Sequence, residues 1–162
     1  MKPNAAASPG VLDDGAVDRI RRILYLNGIR GADLDDGVQE VRLRVLERAP
    51  ADVSSIEAWT AVVATNLAID RGRAARRRGE VVDRLRLITP ETAEAPDVAL
   101  RESMDAALAQ LDPELRAVIV LRFYADLSTA DIGRQLDIPT GTVKSRLHRA
   151  VATLRRALPP EE

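Results

Sequence analysis

The chain contains no cysteine. Disulfides and thiolate-held metals are therefore excluded, and the sequence fits a reducing compartment. A single histidine, His148, leaves no room for a multi-histidine metal site. Aromatic residues make up only 2% of the 162 residues: one Trp, two Tyr and one Phe. Any core must then be built from Leu, Val, Ile and Ala, a mixture that suits packed helices. No apolar run approaches the length of a membrane span, so no membrane insertion is expected. Residues 1–12 are small, polar and proline-containing, with no apolar centre of the kind a secretory leader needs. They are expected to be disordered, and the default location is the cytoplasm.

Net charge is only −1, which argues against a protein that coats nucleic acid indiscriminately. The average hides segregation. Arg71 to Arg78 holds five arginines and no acid, and Lys144 to Arg156 holds five basic residues and no acid. Between them lie Glu91, Glu94, Asp97 and Glu102. Two basic helices joined by an acidic link predict two DNA contacts; the plainer reading of either cluster alone is a solvated helix face.

Helical spacing of apolar residues runs along most of the chain. Val17, Ile20, Ile23 and Leu24 mark a first helix over Asp13–Asn27, punctuated by Gly28 and Gly31. Leu34, Val38, Val41 and Val45 mark a second over Asp33–Arg48. A long third helix follows to about Arg78, with Ser54 as its cap and Glu57 as the partner of a capping box. Residues 81–96, which include Pro90 and Pro96, read as a flexible acidic linker. Asp97–Gln110 is helical, and Pro113 opens another helix at its first turn. The expected fold is all-α: two small helical domains, residues 13–80 and 97–158, with a short tail at 159–162.

The segment Asp126–Arg149 has the pattern of a helix-turn-helix, the unit that places its second helix in the major groove of DNA. Ser128 is a good N-cap, with Asp131 favourably placed beside the free N–H groups. Ile132 and Leu136 face inward, and Asp137-Ile138-Pro139 makes the turn. At about 100° per residue, Val143, Leu147, Ala150, Val151, Leu154 and Leu158 fall on one arc of the second helix. Lys144, Ser145, His148 and Arg149 fall opposite, with Thr142 and Arg146 at the edge. Lys and Arg can read guanine edges, and Ser and His can bond base edges or phosphates. Thr142 and the helix start can hold a phosphate.

Ile138–Ala150 resembles the recognition helix of bacterial sigma factors of the extracytoplasmic-function group (group IV of the sigma-70 family). Regulators of the two-component type carry a similar unit, and the N-terminal half separates the two. Asp36-Gly37-Val38-Gln39-Glu40-Val41 resembles the Asp-Leu-Val-Gln-Glu-Val segment of sigma region two. Trp59, then Asn66-Leu67-Ala68-Ile69-Asp70 and the arginine run, resemble the promoter helix of that region. The resemblance spans roughly Ile20 to Leu158. It implies that residues 13–80 are region two and 97–158 region four. Asp36, Gln39 and Glu40 would bind the clamp helices of core RNA polymerase, whose flap is a second expected contact. Trp59, Asn66, Asp70, Arg73, Arg76 and Arg77 would engage the minus-ten element. Thr142, Lys144, Ser145, Arg146, His148 and Arg149 would read the minus-thirty-five element. Members are often held by an anti-sigma protein, a further expected partner. The chain would be a transcription initiation factor, not an enzyme on its own, and would need no cofactor, metal or catalytic group.

The residues also stand apart from the pattern. Gly37 replaces the usual Leu, at up to about 1 kcal/mol of helix propensity and one apolar contact. Between Tyr25 and Phe123 the only aromatic is Trp59, whereas opened strands are usually held by stacking on aromatics. A pocket of loop backbone over residues 51–55 is the alternative holder of melted bases. Asn66 and Asp70 could also be an intrahelical pair. A stand-alone helix-turn-helix regulator and a sigma-like protein without promoter opening are the competing readings of the whole chain.

Overall fold

A computed structural model describes residues 12–50, 55–79 and 96–158. Within them seven α-helices follow in order: α1 (Asp14–Leu26), α2 (Gly31–Arg48), α3 (Ile56–Arg77), α4 (Pro96–Ala109), α5 (Pro113–Ile119), α6 (Thr129–Leu136) and α7 (Thr140–Ala157). No strand occurs among the described residues, and no helix there is long and apolar enough to cross a membrane. The expectations for residues 1–11, for Glu80 of the first domain and 81–95 of the linker, for 159–162 and for the base pocket at 51–54 lie outside the described residues.

Local chemistry accounts for most helix starts. Asp13 caps α1, its carboxylate accepting from the Ala16 N–H at 2.7 Å. Pro113 stands at the first turn of α5, where its missing N–H costs nothing. Several boundaries differ from the sequence expectation by one or two residues. Helix α2 begins at Gly31 rather than Asp33, and α4 at Pro96 rather than Asp97. Helix α3 is capped by Ser55, not Ser54: the Ser55 hydroxyl oxygen accepts from the Ala58 N–H at 3.1 Å. Glu57 then sits one place too early for a capping box and accepts from Ser55 itself at 3.3 Å.

Helix α5 ends in a feature with no counterpart in the periodicity. Residues Val120–Tyr124 widen into a π-helical turn, closed by the Ala125 N–H donating to the Val120 carbonyl at 3.0 Å. Such turns insert an extra residue and shift the side chains beyond them. Val120 and Leu121 stay buried, while Phe123 is 68% exposed.

Helices α1–α3 pack on one another around Ile20, Ile23, Leu24, Val38, Val41 and Leu67. Gly37 is buried here, and a Cβ on it would lie 3.1 Å from Leu24 Cδ1. The glycine lets α2 approach Leu24 of α1 closely; a side chain there would need Leu24 to give by a few tenths of an ångström. Helices α4, α5 and α7 enclose Leu108, Leu111, Leu115, Ile119, Ala150 and Leu154. The first core does not stop at the end of the N-terminal half. It continues through Val118, Val120, Leu121, Leu127, Ile132 and Val143, so the two halves share buried apolar surface. Removal of such surface from water is the dominant favourable term in packing.

Candidate nucleic-acid interface

The helix-turn-helix is built by local chemistry. The Ser128 oxygen accepts from the Asp131 N–H at 3.0 Å, and its hydroxyl donates to Asp131 Oδ2 at 2.7 Å. Asp131 also pairs with Arg134. Helix α6 ends at Asp137, which takes the left-handed conformation with φ +54° that Asp adopts more readily than most residues. Gly133 lets the turn fold back: its carbonyl accepts from the Ile138 N–H at 2.9 Å, and a Cβ on it would lie 2.9 Å from the Ile138 carbonyl oxygen. Ile132 is fully buried beneath, in the same cluster as Val143.

Helix α7 divides as its sequence predicts. Val143, Ala150 and Leu154 are buried, and Leu147, Val151 and Leu158 are half-buried. Lys144, Ser145, His148 and Arg149 are exposed together on the other side, flanked by half-buried Thr142 and Arg146. The Ser145 hydroxyl donates to the Thr142 carbonyl at 3.0 Å. Lys144, Arg146, His148 and Arg149 have no side-chain partner among the described residues. This face is therefore a cationic surface on which the donors of Lys144, Arg146, His148 and Arg149 are unengaged.

The second candidate surface lies on α3. Trp59, Val63 and Asn66 are half-buried, and Asp70, Arg73 and Arg77 further along the same stripe are exposed. Asn66 and Asp70 are not bonded to each other, so the intrahelical pair is not formed. The arginines are not equivalent. Arg73 Nε donates to Glu114 at 3.0 Å and Arg76 Nη2 to Asp112 at 2.8 Å, both acids belonging to the other half of the chain. Arg77 is exposed and has no such partner.

A third surface lies on α2. Asp36 and Gln39 are exposed, and Glu40 is half-buried. Glu40 pairs with Arg44 at 2.6 Å and with Arg71 of α3 at 3.3 Å. It therefore ties α2 to α3 as well as facing outward. Leu43 and Leu46, at 56% and 64% exposed, extend the same face. Sequence reasoning overlooked these two leucines. Their signal was there: at about 100° per residue Leu43 falls opposite the Leu34, Val38, Val41, Val45 stripe and Leu46 on its flank, beside Gln39.

Two carboxyl groups sit below their ordinary values of 4.5 and 3.8. For Glu114, partial burial pushes upward, but its backbone hydrogen bond and Arg73 and Arg76 outweigh it. For Asp131, the Ser128 hydrogen bond lowers the value most, followed by Arg134. A depressed folded-state value stabilises fully above the ordinary value and is lost as pH falls through the folded one. These two groups are therefore expected to lower the urea midpoint as pH drops below about 4.5. An unchanged midpoint across the acid range would contradict these two assignments.

Comparison with known proteins bears on both halves. Residues 16–78 match the family model described as Sigma-70 region 2, and residues 107–156 match that of Sigma-70, region 4. The ECF RNA polymerase sigma factor SigL of Mycobacterium tuberculosis is 38% identical over 164 residues, covering 95% of this chain and 93% of its own. The ECF RNA polymerase sigma factor SigW of Bacillus subtilis is 30% identical over 157 residues, covering 87% and 83%. Among solved structures, the sigma factor RpoE from Bartonella quintana, in complex with the anti-sigma factor NepR, superposes with a TM-score of 0.69. It is 20% identical, and the match covers 88% of this chain and 91% of that one.

Proposed function

The chain belongs to the extracytoplasmic-function sigma factors of the sigma-70 family, and from that premise we propose how its three surfaces divide the work of promoter recognition. The protein is an initiation factor that directs core RNA polymerase to specific promoters. RNA synthesis itself belongs to the polymerase, and the chain acts in the cytoplasm as a subunit, not an enzyme.

The observation that carries the division is the exposed face of α7. Lys144, Ser145, His148 and Arg149 stand together in solvent, backed by an apolar arc that fixes the helix. Such a face suits base edges in the major groove. Thr142 and Arg146, half-buried at its edges, suit the flanking phosphates. This is the minus-thirty-five contact. The polar end of α3, with Asn66, Asp70, Arg73, Arg76 and Arg77, is the minus-ten contact, with Trp59 the one aromatic on that stripe. The α2 face, with Asp36, Gln39, Glu40, Leu43 and Leu46, docks the polymerase clamp. Exposed leucines within an acidic rim support that reading, since an apolar centre with a polar edge is how interfaces are built. An anti-sigma protein is a further partner class, supported by the complex in which the Bartonella quintana neighbour was solved.

Run-off transcription with core polymerase and a promoter library tests the whole. Initiation that depends on this chain is expected. Operator binding without polymerase would favour a stand-alone regulator, and tight core binding without initiation would favour a protein that has lost promoter opening. In the same assay Arg149→Ala should lose about 1–3 kcal/mol of minus-thirty-five discrimination; an unaltered promoter preference would count against its place on the reading face.

A further inference from the structure

Arg149 and Arg156 lie about two turns apart on one side of α7, and no carboxylate among the described residues pairs with either. Arginines elsewhere in the fold have such partners: Arg44 and Arg71 share Glu40, and Arg134 meets Asp131. The two unpaired guanidinium groups border a groove of about 330 Å³ between α7 and the turn from α4 to α5. That volume is within the range of about 300–1,000 Å³ typical of small-molecule sites. Leu111 and Leu115, both buried, supply its apolar lining, and His148 adds an imidazole. The reading face of α7 thus shares two residues, His148 and Arg149, with a concavity beside it.

The two walls of the groove carry different chemistry. On α7 the helix itself holds Arg156: its Nε donates to the Ala152 carbonyl at 3.2 Å and its Nη2 to Thr153 Oγ1 at 3.4 Å. The Thr153 hydroxyl in turn donates to the Arg149 carbonyl at 3.0 Å. Nη1 of Arg156 is left for a ligand, and a guanidinium fixed in advance loses less freedom on binding. From His148 to Arg156 the helix rises about 12 Å, the reach of a nucleoside with two phosphates. Paired arginines are the natural holders of such phosphates. The opposite wall is Gln110 and Asp112. Asp112 Oδ1 accepts from Arg76 at 2.8 Å, and Oδ2 has no partner among the described residues. A carboxylate only accepts hydrogen bonds, whereas an amide both donates and accepts. Together they match the edge of guanine, which sets N–H donors beside a carbonyl acceptor. A duplex backbone suits the groove less well: it would meet the charge of Asp112 and gain nothing from the leucines.

We propose that this groove is a binding site for a guanine nucleotide with two or more phosphates. The phosphates lie on Arg149 and Arg156, and the base lies over Leu111 and Leu115 with its edge toward Gln110 and Asp112. Binding as such depends only on the groove. Its consequence rests on the reading of Arg149 as a minus-thirty-five contact: one guanidinium cannot hold a nucleotide phosphate and a base edge of the promoter at once. Nucleotide and minus-thirty-five duplex therefore exclude each other, and the nucleotide lowers promoter recognition without touching the α2 face.

Fluorescence anisotropy of a GDP carrying a fluorophore on its ribose, titrated with the full chain, tests the site directly. A Kd of about 10–100 µM is expected. Arg156→Ala should weaken binding about tenfold or more, while Arg155→Ala, which removes the same charge one residue outside the groove, should leave it within about twofold. Unlabelled GDP should displace the probe about tenfold better than ADP, guanosine or pyrophosphate. Equal displacement by pyrophosphate would reduce the groove to a general anion site, and equal displacement by ADP would remove the roles of Gln110 and Asp112; either overturns the proposal, as does absence of binding at millimolar protein. Gln110→Ala, an exposed change, gives a second variant that leaves the fold intact, and it should narrow the preference for GDP over ADP. The consequence is read separately, by promoter binding of the reconstituted holoenzyme without RNA synthesis. GDP at ten times its Kd should weaken binding about tenfold, and Arg156→Ala holoenzyme should bind promoter normally but ignore GDP, which excludes effects at the polymerase's own nucleotide sites. Nucleotide binding with an unaltered promoter affinity would overturn the shared use of Arg149. If the parent holoenzyme binds no promoter at all, the proposed promoter function fails and the competition with it, while the anisotropy still decides the site.

Discussion

Replacing Arg116 with alanine is expected to destabilise the protein by about 3 kcal/mol, because one guanidinium serves four carbonyls. Its Nε donates to Leu108 O at 2.9 Å, and its Nη2 to Leu111 O at 2.8 Å and Ala109 O at 3.3 Å. These are carbonyls at and just beyond the end of α4, which has no basic residue in its last turn. Helix ends leave carbonyls without intrahelical partners, and here a side chain from the next helix supplies them. The remaining nitrogen, Nη1, reaches Asn27 O at the end of α1, another helix whose last turn lacks a base. Removing Arg116 takes partners from two helix ends in half-buried surroundings; the Leu108 carbonyl keeps the Leu111 N–H at 3.1 Å, and an unsatisfied carbonyl among the others costs about 1–3 kcal/mol. Urea unfolding checks the loss. Arg116→Lys should recover less than half of it, since an ammonium cannot reproduce the planar fork. Full rescue by lysine would mean that charge, not hydrogen-bond geometry, is what matters there.

Ile132→Ala should cost about 2–5 kcal/mol, the range for deleting a fully buried aliphatic side chain. Ile132 is 0% exposed and belongs to the cluster that also contains Leu121, Leu127 and Val143. The loss therefore falls on the contact that sets α6 against α7. Promoter reading should fail although every residue on the exposed α7 face is intact. Ile132→Val removes one methylene and should cost only about 0.5–1.5 kcal/mol, with promoter preference retained. Equal stability of the alanine variant and the parent would mean that the core under the helix-turn-helix collapses without penalty. Specificity loss in Ile132→Ala at unchanged stability would place Ile132 in DNA recognition instead.

Much of this was legible locally. Ser128 capping, the Asp137 turn and the two arcs of α7 all follow from contacts within four residues or from the 3.6-residue period. The same holds for the buried stripe of α2 and for Pro113 opening α5. The misses were also local in kind. The cap of α3 shifted from Ser54 to Ser55 because the hydroxyl that matters is the one three residues before an unpaired N–H. The π-helical turn at Val120–Tyr124 left no trace in spacing, because one inserted residue only displaces the pattern that follows it. Gly37, which carries no apolar side chain, sits where α2 meets Leu24, a neighbour that spacing within α2 could not name.

What the amino-acid order determined by itself is an all-helical chain with an exposed basic face on α7 and an acidic face on α2. Those properties depend on which residues recur every three or four positions, and a helix enforces that recurrence wherever it sits. Tertiary structure alone decided the state of the α3 arginines. Arg76 meets an acid 36 residues away, Arg73 one 41 residues away, and Arg116 a carbonyl 89 residues away. No periodicity reaches across such separations. Asp112, Pro113 and Glu114 read in isolation as nothing more than a good helix start. Their second role, as neighbours of the α3 arginines, exists only because burial of the shared apolar core brings α5 against α3, and because Gly72 leaves room for Pro113.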